Sequence, residues 1–315
     1  MSTRPGRYAA IDIGTVTCRL LVADVDSAGG IEELHRDYAI CNLGVGVDMT
    51  GHLEPEAIER VCVAVERFAD ALKSLQSAKP ISVRTCATSA SRDADNAFVF
   101  KEKMAAFGIV PEVIPGAEEA LLSFAGATSA FPGETVAVAD IGGGSTEIIA
   151  GLAGAAPAHA HSFDIGCRRV TERIFTQDPP TPDDCARACA WIAEEFAPYI
   201  AKLQDGGFLS NRLIAVAGTA TSIISMREQM EVYDSNRVHG SIATRADVDA
   251  LIDRIAPMTL SERQKIIGLD PGRAPVILAG LLIMRQLLES TGLDSFTASE
   301  RDILHGIILG MAQAG

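Results

Sequence analysis

No apolar run in this 315-residue chain is long enough to cross a bilayer without meeting a charge, so no membrane role is expected. The opening residues Met1-Ser2-Thr3-Arg4-Pro5 lead towards a strand without the apolar core of a signal peptide, and a cytoplasmic protein is expected. Positive charge is in deficit: 27 Lys and Arg against 41 Asp and Glu leave a net charge of −14. A protein that tracks nucleic acid needs a basic footprint, so no nucleic-acid partner is expected, and any polyanionic ligand must be drawn in by local arginines. Metal-ligand cysteine spacing is also missing. The count of seven is odd, and Cys18, Cys41, Cys62, Cys86 and Cys167 fall singly in apolar surroundings, as reduced core thiols do. Cys185 and Cys189 lie one helical turn apart, but no His or further Cys is near enough in sequence to complete a site, and helix packing is their expected role. There is no linker, low-complexity tract or charge block. What remains, 48% hydrophobic and 22% charged, is a globular composition with length for two domains.

The most informative stretch runs from Val136 to Ala150. An apolar run ends in Asp140, the glycines Gly142, Gly143 and Gly144 break it, Ser145, Thr146 and Glu147 follow, and a second apolar run begins. The pattern predicts strand, tight turn, strand. Glycines at such a turn place no Cβ between the backbone N–H groups and a ligand, so these groups can converge on phosphate oxygens. An ordinary hairpin would read the same way. A second copy favours the phosphate cradle: Asp12, Ile13, Gly14, Leu20 and Leu21 align at constant offset with Asp140, Ile141, Gly142, Ile148 and Ile149. Two such units imply an internal duplication, two related half-domains facing one cleft.

Between and beyond the turns, the pattern predicts a strand over 31–41 and a loop over 42–51 whose Gly44-Val45-Gly46 lacks the third glycine of a dinucleotide fingerprint. Pro55 opens a helix with Ile58, Val61, Val65, Phe68 and Leu72 on its core face. A buried strand, 81–87, runs into Thr88-Ser89-Ala90-Ser91, hydroxyl residues able to cap a helix. Arg92 is placed in that helix's first turn, where a cation opposes the dipole unless an anion is bound; a solvent-exposed arginine is the plainer alternative. Strand 111–114 turns into a helix carrying Glu118 and Glu119, one directed at the strand ends and one at solvent, or both merely complementing the dipole. Arg168 and Arg169 follow Gly166 at a strand-to-helix junction and can supply local positive charge. Gly218 and Thr219 lie in a glycine-hydroxyl turn leading into a helix, a place where amides bind anions. His239 is read as structural. A helix through Leu203, three later helical segments, a strand over 295–298 and a final helix over 301–311 complete the chain.

Three segments, Asp140-Ile141-Gly142-Gly143-Gly144-Ser145-Thr146-Glu147, Ala87-Thr88-Ser89-Ala90-Ser91-Arg92 with Asn96, and Gly116-Ala117-Glu118-Glu119-Ala120, resemble those of the exopolyphosphatase and guanosine pentaphosphate phosphohydrolase (Ppx/GppA) family. The resemblance covers nearly the whole chain. It implies an α/β fold of two ribonuclease-H-like, actin-like domains, each a five-stranded mixed sheet flanked by helices, with an interdomain cleft. Residues 1–123 with the C-terminal helix 300–315 would form the first domain and 124–299 the second, without the helical C-terminal domains of longer members. It further implies Glu119 as catalytic carboxylate, Arg92 as a phosphate ligand, and Asp140 and Glu147 beside Mg²⁺. Phosphate contacts would come from Asp12, Gly14, Thr15, Thr17, Gly142, Gly143, Gly144, Ser145, Thr146, Gly218 and Thr219, with Arg168 and Arg169 along the rim of the path of the phosphate chain.

The family's first turn commonly reads Asp-x-Gly-Ser-Asn-Ser, where this chain has Asp12-Ile13-Gly14-Thr15-Val16-Thr17, and its Arg-Ala-Asp and Leu-Arg-Glu-Gly segments become Arg273-Ala274-Pro275 and Ile303-Leu304-His305-Gly306. The implied reaction is hydrolysis of the terminal phosphoanhydride of polyphosphate, releasing orthophosphate, by a homodimeric enzyme. The alternatives are guanosine pentaphosphate as substrate, or a binding protein for either ligand without turnover. A sugar or acetate kinase is disfavoured, since no segment resembles the acceptor pocket.

Overall fold

The computed structural model describes residues 3–76, 79–210 and 212–314; Met1, Ser2 and Gly315, which the sequence reading assigned to the first domain, lie outside the described residues. The chain divides into two compact units, Met1–Gly126 with Ile303–Gly315, and Ala127–Asp302. No helix among the described residues is long and apolar enough to cross a membrane.

In the first unit β1 (Gly6–Ile13), β2 (Thr17–Val25) and β3 (Ile31–Ile40) form an antiparallel meander, and β4 (Ile81–Ala87) and β5 (Pro111–Val113) continue parallel to β1. The order is β3-β2-β1-β4-β5. Side chains alternate across a strand, so a strand apolar at every position must be covered on both faces. β1 is such a strand from Tyr8 to Ile11. Ala9, Ile11 and Ile13 join the cluster built with Val61, Val65 and Phe68 of the helix Pro55–Gln76, while Tyr8 and Ala10 join Ile303, Ile307 and Ile308 of the last helix, Ile303–Gln313. Complete burial of a side chain such as Phe68 contributes about 1.5–3 kcal/mol, which fixes the helix to that face. The expected loop over 42–51 contains one helical turn, Val47–Thr50.

The second unit repeats the plan. β6 (Thr135–Ile141), β7 (Thr146–Leu152) and β8 (His159–Phe163) form the meander, β9 (Leu213–Val216) lies parallel to β6, and β10 (Ile242–Thr244) and β11 (Ser295–Ala298) complete the order β10-β11-β9-β6-β7-β8. Five of these strands reproduce the first sheet, the ribonuclease-H-like order. The sixth, β10, corrects the expectation of five: its three residues, paired antiparallel to β11, are too few to show an alternation in sequence. The long helix Pro182–Asp205 starts at a capping box in which Thr181 and Asp184 satisfy each other's backbone N–H groups, and the largely buried helix Ile277–Thr291 packs against it. Cys185 and Cys189 ride on the former as half-buried free thiols.

The departures near the C-terminus are core substitutions. Leu304 belongs to the cluster under the first sheet, and buried His305 donates from Nε2 to Glu33 Oε1 at 3.0 Å. That hydrogen bond, against the opposing effect of burial and aided by Arg36, holds the Glu33 carboxyl at about 2. A carboxyl held below its ordinary 4.5 stabilises the fold above that pH, and the contribution is lost as pH falls through about 2. The Glu33 side chain is 41% exposed, so solvent screening keeps the effect small. Glu33→Gln is expected to flatten the fall of the urea midpoint between pH 4.5 and 2; an unchanged pH profile would show that Glu33 is not among the groups that govern acid stability.

Candidate active site

Each unit presents its turn in the same way. Gly14 N–H donates to Thr17 O at 2.8 Å, and Gly142 N–H to Ser145 O at 3.0 Å. The carbonyls behind the turns are taken by the segment that follows the third strand. In the first unit Gly44 N–H donates to Thr15 O, and Cys41 and Asn42 N–H both donate to Val16 O. In the second, Cys167 N–H donates to Gly142 O at 2.9 Å and Arg168 N–H to Gly143 O at 2.8 Å. Among the described residues, neither Gly143 nor Gly144 gives its N–H to a protein acceptor. A turn tied back through its carbonyls with its N–H groups unused is an anion nest.

Two glycines permit this. A Cβ at Gly166 would overlap the Gly143 carbonyl, and a Cβ at Gly44 would overlap the Thr15 methyl. Neither glycine is among the site residues expected from the sequence. Val16, where the family tends to carry Asn, has a buried side chain and contributes its carbonyl. Thr15, Ser145 and Thr146 are buried, and Thr146 Oγ1 has no hydrogen-bond partner within the protein. Thr17 is partly exposed at the start of β2.

Beside each turn a helix begins at the end of the neighbouring parallel strand. In the first unit this is Ser89–Asp93, with Thr88 N–H bonded to Ile13 O at 3.2 Å. The hydroxyl cap expected there is not formed, and Arg92 lies in the last turn of this five-residue helix rather than the first turn of a long one. The helix breaks at Ala94, and Asn96 instead clamps the loop: its Oδ1 accepts from Leu53 N–H at 2.8 Å and its Nδ2 donates to Leu53 O at 2.9 Å. A cation in a last turn complements the helix dipole, so the position of Arg92 by itself calls for no anion. Arg92 Nη1 reaches Glu119 Oε2 at 2.9 Å and Ile114 O at 3.0 Å.

Glu118 and Glu119 both fall in the first turn of the helix Gly116–Thr128 and diverge. Glu118 is half-exposed and bound to Arg84 at 2.6 Å, which also holds Glu112, whereas Glu119 is buried. Of these two neighbours, Glu119 is the one shielded from water.

In the second unit the helix Ala217–Arg227 begins beside the turn, and Thr219 Oγ1 donates to Ile141 O at 3.3 Å. Ala217 has φ +64, an uncommon conformation for a residue with a Cβ, of the kind that concentrates at functional sites. A Cβ at Gly218 would fall inside the guanidinium of Arg273, so that cation lies directly on the helix start. Sequence reading did not single out Arg273 as a site residue. Its charge, with that of Arg168, pulls the Cys167 thiol down against burial, which on balance pushes it up. Arg168 and Arg169 are buried, a correction to the expected exposed rim: Arg169 Nε donates to Gly144 O at 2.9 Å and braces the turn from behind. His239 is structural, its Nδ1 accepting from Glu300 N–H at 3.2 Å.

Asp140 and Glu147 stand directly opposite each other in the β6–β7 ladder and both are buried. Glu147 Oε1 accepts from Ser162 Oγ at 2.6 Å. Among the described residues no cluster of three or more His, Cys, Asp or Glu is placed to hold a metal. Two carboxylates on one face suffice for Mg²⁺, which takes its remaining oxygens from water and phosphate, so these residues fit the ion.

Duplicated mixed sheets, each with an aspartate-ended strand leading into an anion-binding turn, define an actin-like phosphate-handling protein. The family pattern described as "Ppx/GppA phosphatase family" matches residues 21–314, and the chain belongs to that family. It is an enzyme, a phosphoanhydride hydrolase. It is 38% identical to the "Exopolyphosphatase 2" of Mycobacterium tuberculosis over 97% of this chain and 98% of that one. Among solved structures, an exopolyphosphatase from Cytophaga hutchinsonii superposes with a TM-score of 0.88 at 26% identity, covering 98% of each chain. The Aquifex aeolicus Ppx/GppA family member gives 0.79 at 27%, again with 98% of each chain covered.

The two glycines test the turn geometry. Gly166→Ala forces backbone apart, at a cost of about 1–3 kcal/mol, whereas Gly44→Ala meets side-chain atoms alone, the Thr15 methyl most closely and then the Ala90 Cβ. Gly166→Ala should therefore lose more melting temperature and more phosphate release than Gly44→Ala. The reverse order, read from thermal melts and a phosphate assay, would show that the turn does not depend on this close approach.

Proposed function

We propose that the chain hydrolyses the terminal phosphoanhydride of inorganic polyphosphate and releases orthophosphate. The observation that carries the proposal is the pair of turns tied back through their carbonyls, with the Gly143 and Gly144 N–H groups available to phosphoryl oxygens. Similarity to an exopolyphosphatase along almost the whole of both chains supports polyphosphate as the substrate. Guanosine pentaphosphate offers the same terminal anhydride with a different leaving group, and it is the competitor to be tested.

Residue by residue, the turn at Gly142–Thr146 takes phosphoryl oxygens through its amides and the Ser145 hydroxyl, and the turn at Gly14–Thr17 takes phosphate in the same manner. Asp140 and Glu147 would hold Mg²⁺, which offsets phosphate charge when bound. Arg273, on the first turn of the helix beside the nest, supplies fixed positive charge, as does Arg168. Glu119 is the general base towards water. Arg92, bonded to one oxygen of Glu119, orients that carboxylate while its remaining N–H groups can meet phosphate. Phosphoryl transfer depends chiefly on positioning and electrostatic stabilisation, so the amides and cations carry much of the rate. A general base adds about 10²- to 10⁴-fold, roughly 3–5 kcal/mol of barrier.

The test contrasts two neighbours. Glu119→Gln should lower kcat by about 10²-fold or more with substrate still bound, while Glu118→Gln, which removes a partner of Arg84, should leave kcat nearly unchanged and affect only stability. Phosphate release is measured with Mg²⁺ on short polyphosphate, long polyphosphate and guanosine pentaphosphate. Equal kcat losses in the two variants would remove Glu119 from its role, and no release from polyphosphate would overturn the substrate.

A further inference from the structure

The duplicated hairpins differ in charge at one pair of positions. Asp12 pairs across the ladder with Arg19 in the first unit, and Asp140 pairs with Glu147 in the second, at matching places relative to the turn. Around them the hairpins match apolar for apolar, Ile13 with Ile141, Leu20 with Ile148 and Leu21 with Ile149. Two guanidinium donors of Arg19, Nε at 3.1 Å and Nη2 at 2.6 Å, converge on a single oxygen, Asp12 Oδ2. The Asp12 side chain is only 6% exposed, so this is no solvated surface pair of the kind that contributes little. In the second unit two buried carboxylates occupy the same places, an arrangement of oxygens that suits a divalent cation.

We propose that Arg19 is the resident cation of the first turn, doing for Asp12 what a divalent ion does for Asp140 and Glu147, so that the chain has one metal site and not two. The proposal rests on the reading of Asp140 and Glu147 as the metal pair. A bare aspartate beside the first turn would repel phosphate. Tied to Arg19 it is neutralised, and the Thr15 and Val16 amides can take phosphate with no metal there. Burying the Asp12 carboxylate is expensive unless a cation meets it, and the partly exposed Arg19 does so where the sister unit places a second acid. The duplication has thus split into a metal-dependent half and a metal-independent half by the exchange of one side chain.

The experiment counts Mn²⁺ ions bound per chain by electron paramagnetic resonance, without substrate, and follows folding by circular dichroism. Wild type and Arg19→Lys should each bind one ion, and Asp140→Asn none. Arg19→Glu, which rebuilds the second unit's pair in the first, should double the count to two, and adding Asp140→Asn to it should return the count to one. A wild type that binds no Mn²⁺ would overturn the metal reading of Asp140 and Glu147, and this proposal with it. A wild-type site that is abolished by Asp140→Asn, combined with a count of one in Arg19→Glu, would overturn the proposal alone. Arg19→Glu is also purified in Mn²⁺; if it remains unfolded with the ion present, the two hairpins are not equivalent and the proposal fails.

Discussion

The proposed chemistry depends on closing the back of each glycine turn. A backbone turn has donors and acceptors in equal number, and it becomes an anion site only when the acceptors are used elsewhere. Here the segment after the third strand of each meander takes them: residues 41–44 in the first unit, Cys167 and Arg168 in the second. Such an approach leaves no room for a side chain, which is why Gly44 and Gly166 are glycines although neither has positive φ. The constraint explains why the fold places its meander before its parallel strands: the third strand must deliver the chain to the rear of the turn between the first two.

The second organising force is the pairing of arginines with carboxylates at the strand ends. In the first unit Arg84 takes Glu118 and Glu112, Arg92 takes Glu119, and Arg19 takes Asp12. A chain of net charge −14 has cations to spare for few carboxylates, and these arginines are spent at the strand ends. Glu119 is consequently shielded and oriented where Glu118 is solvated. In the second unit Arg169 braces the Gly144 carbonyl and Arg273 covers Gly218. Anion attraction is thereby local, as an acidic protein with a polyanionic substrate requires.

The departures from the family pattern fall on packing as well as on the site. Val16 offers its carbonyl and buries its side chain, Leu304 fills the core beneath the first sheet, and His305 ties Glu33 to the last helix. None of the three removes a backbone donor of the turns. Arg273 retains its cation at the helix start although Pro275 stands where the family tends to carry Asp.

Most of the strands, the two turns and the duplication are legible in the amino-acid order, because these follow from local rules: side-chain period along a strand, glycine where the backbone must come close, and the same spacing twice. It also marked Glu119 and Asp140 through motifs of adjacent residues. Tertiary structure alone decided what those residues touch. Nothing near Arg92 in sequence says that its helix stops after five residues and that its guanidinium turns to Glu119. The burial of Arg168 and Arg169, the seat of Arg273 on Gly218, and the three-residue strand β10 were equally hidden, since each depends on contacts between segments far apart in the chain. Arg19 lies between the two regimes: its place opposite Asp12 could be counted along the hairpin, but its closure on the buried carboxylate is a fact of packing, set by which side of the ladder the core leaves for charge.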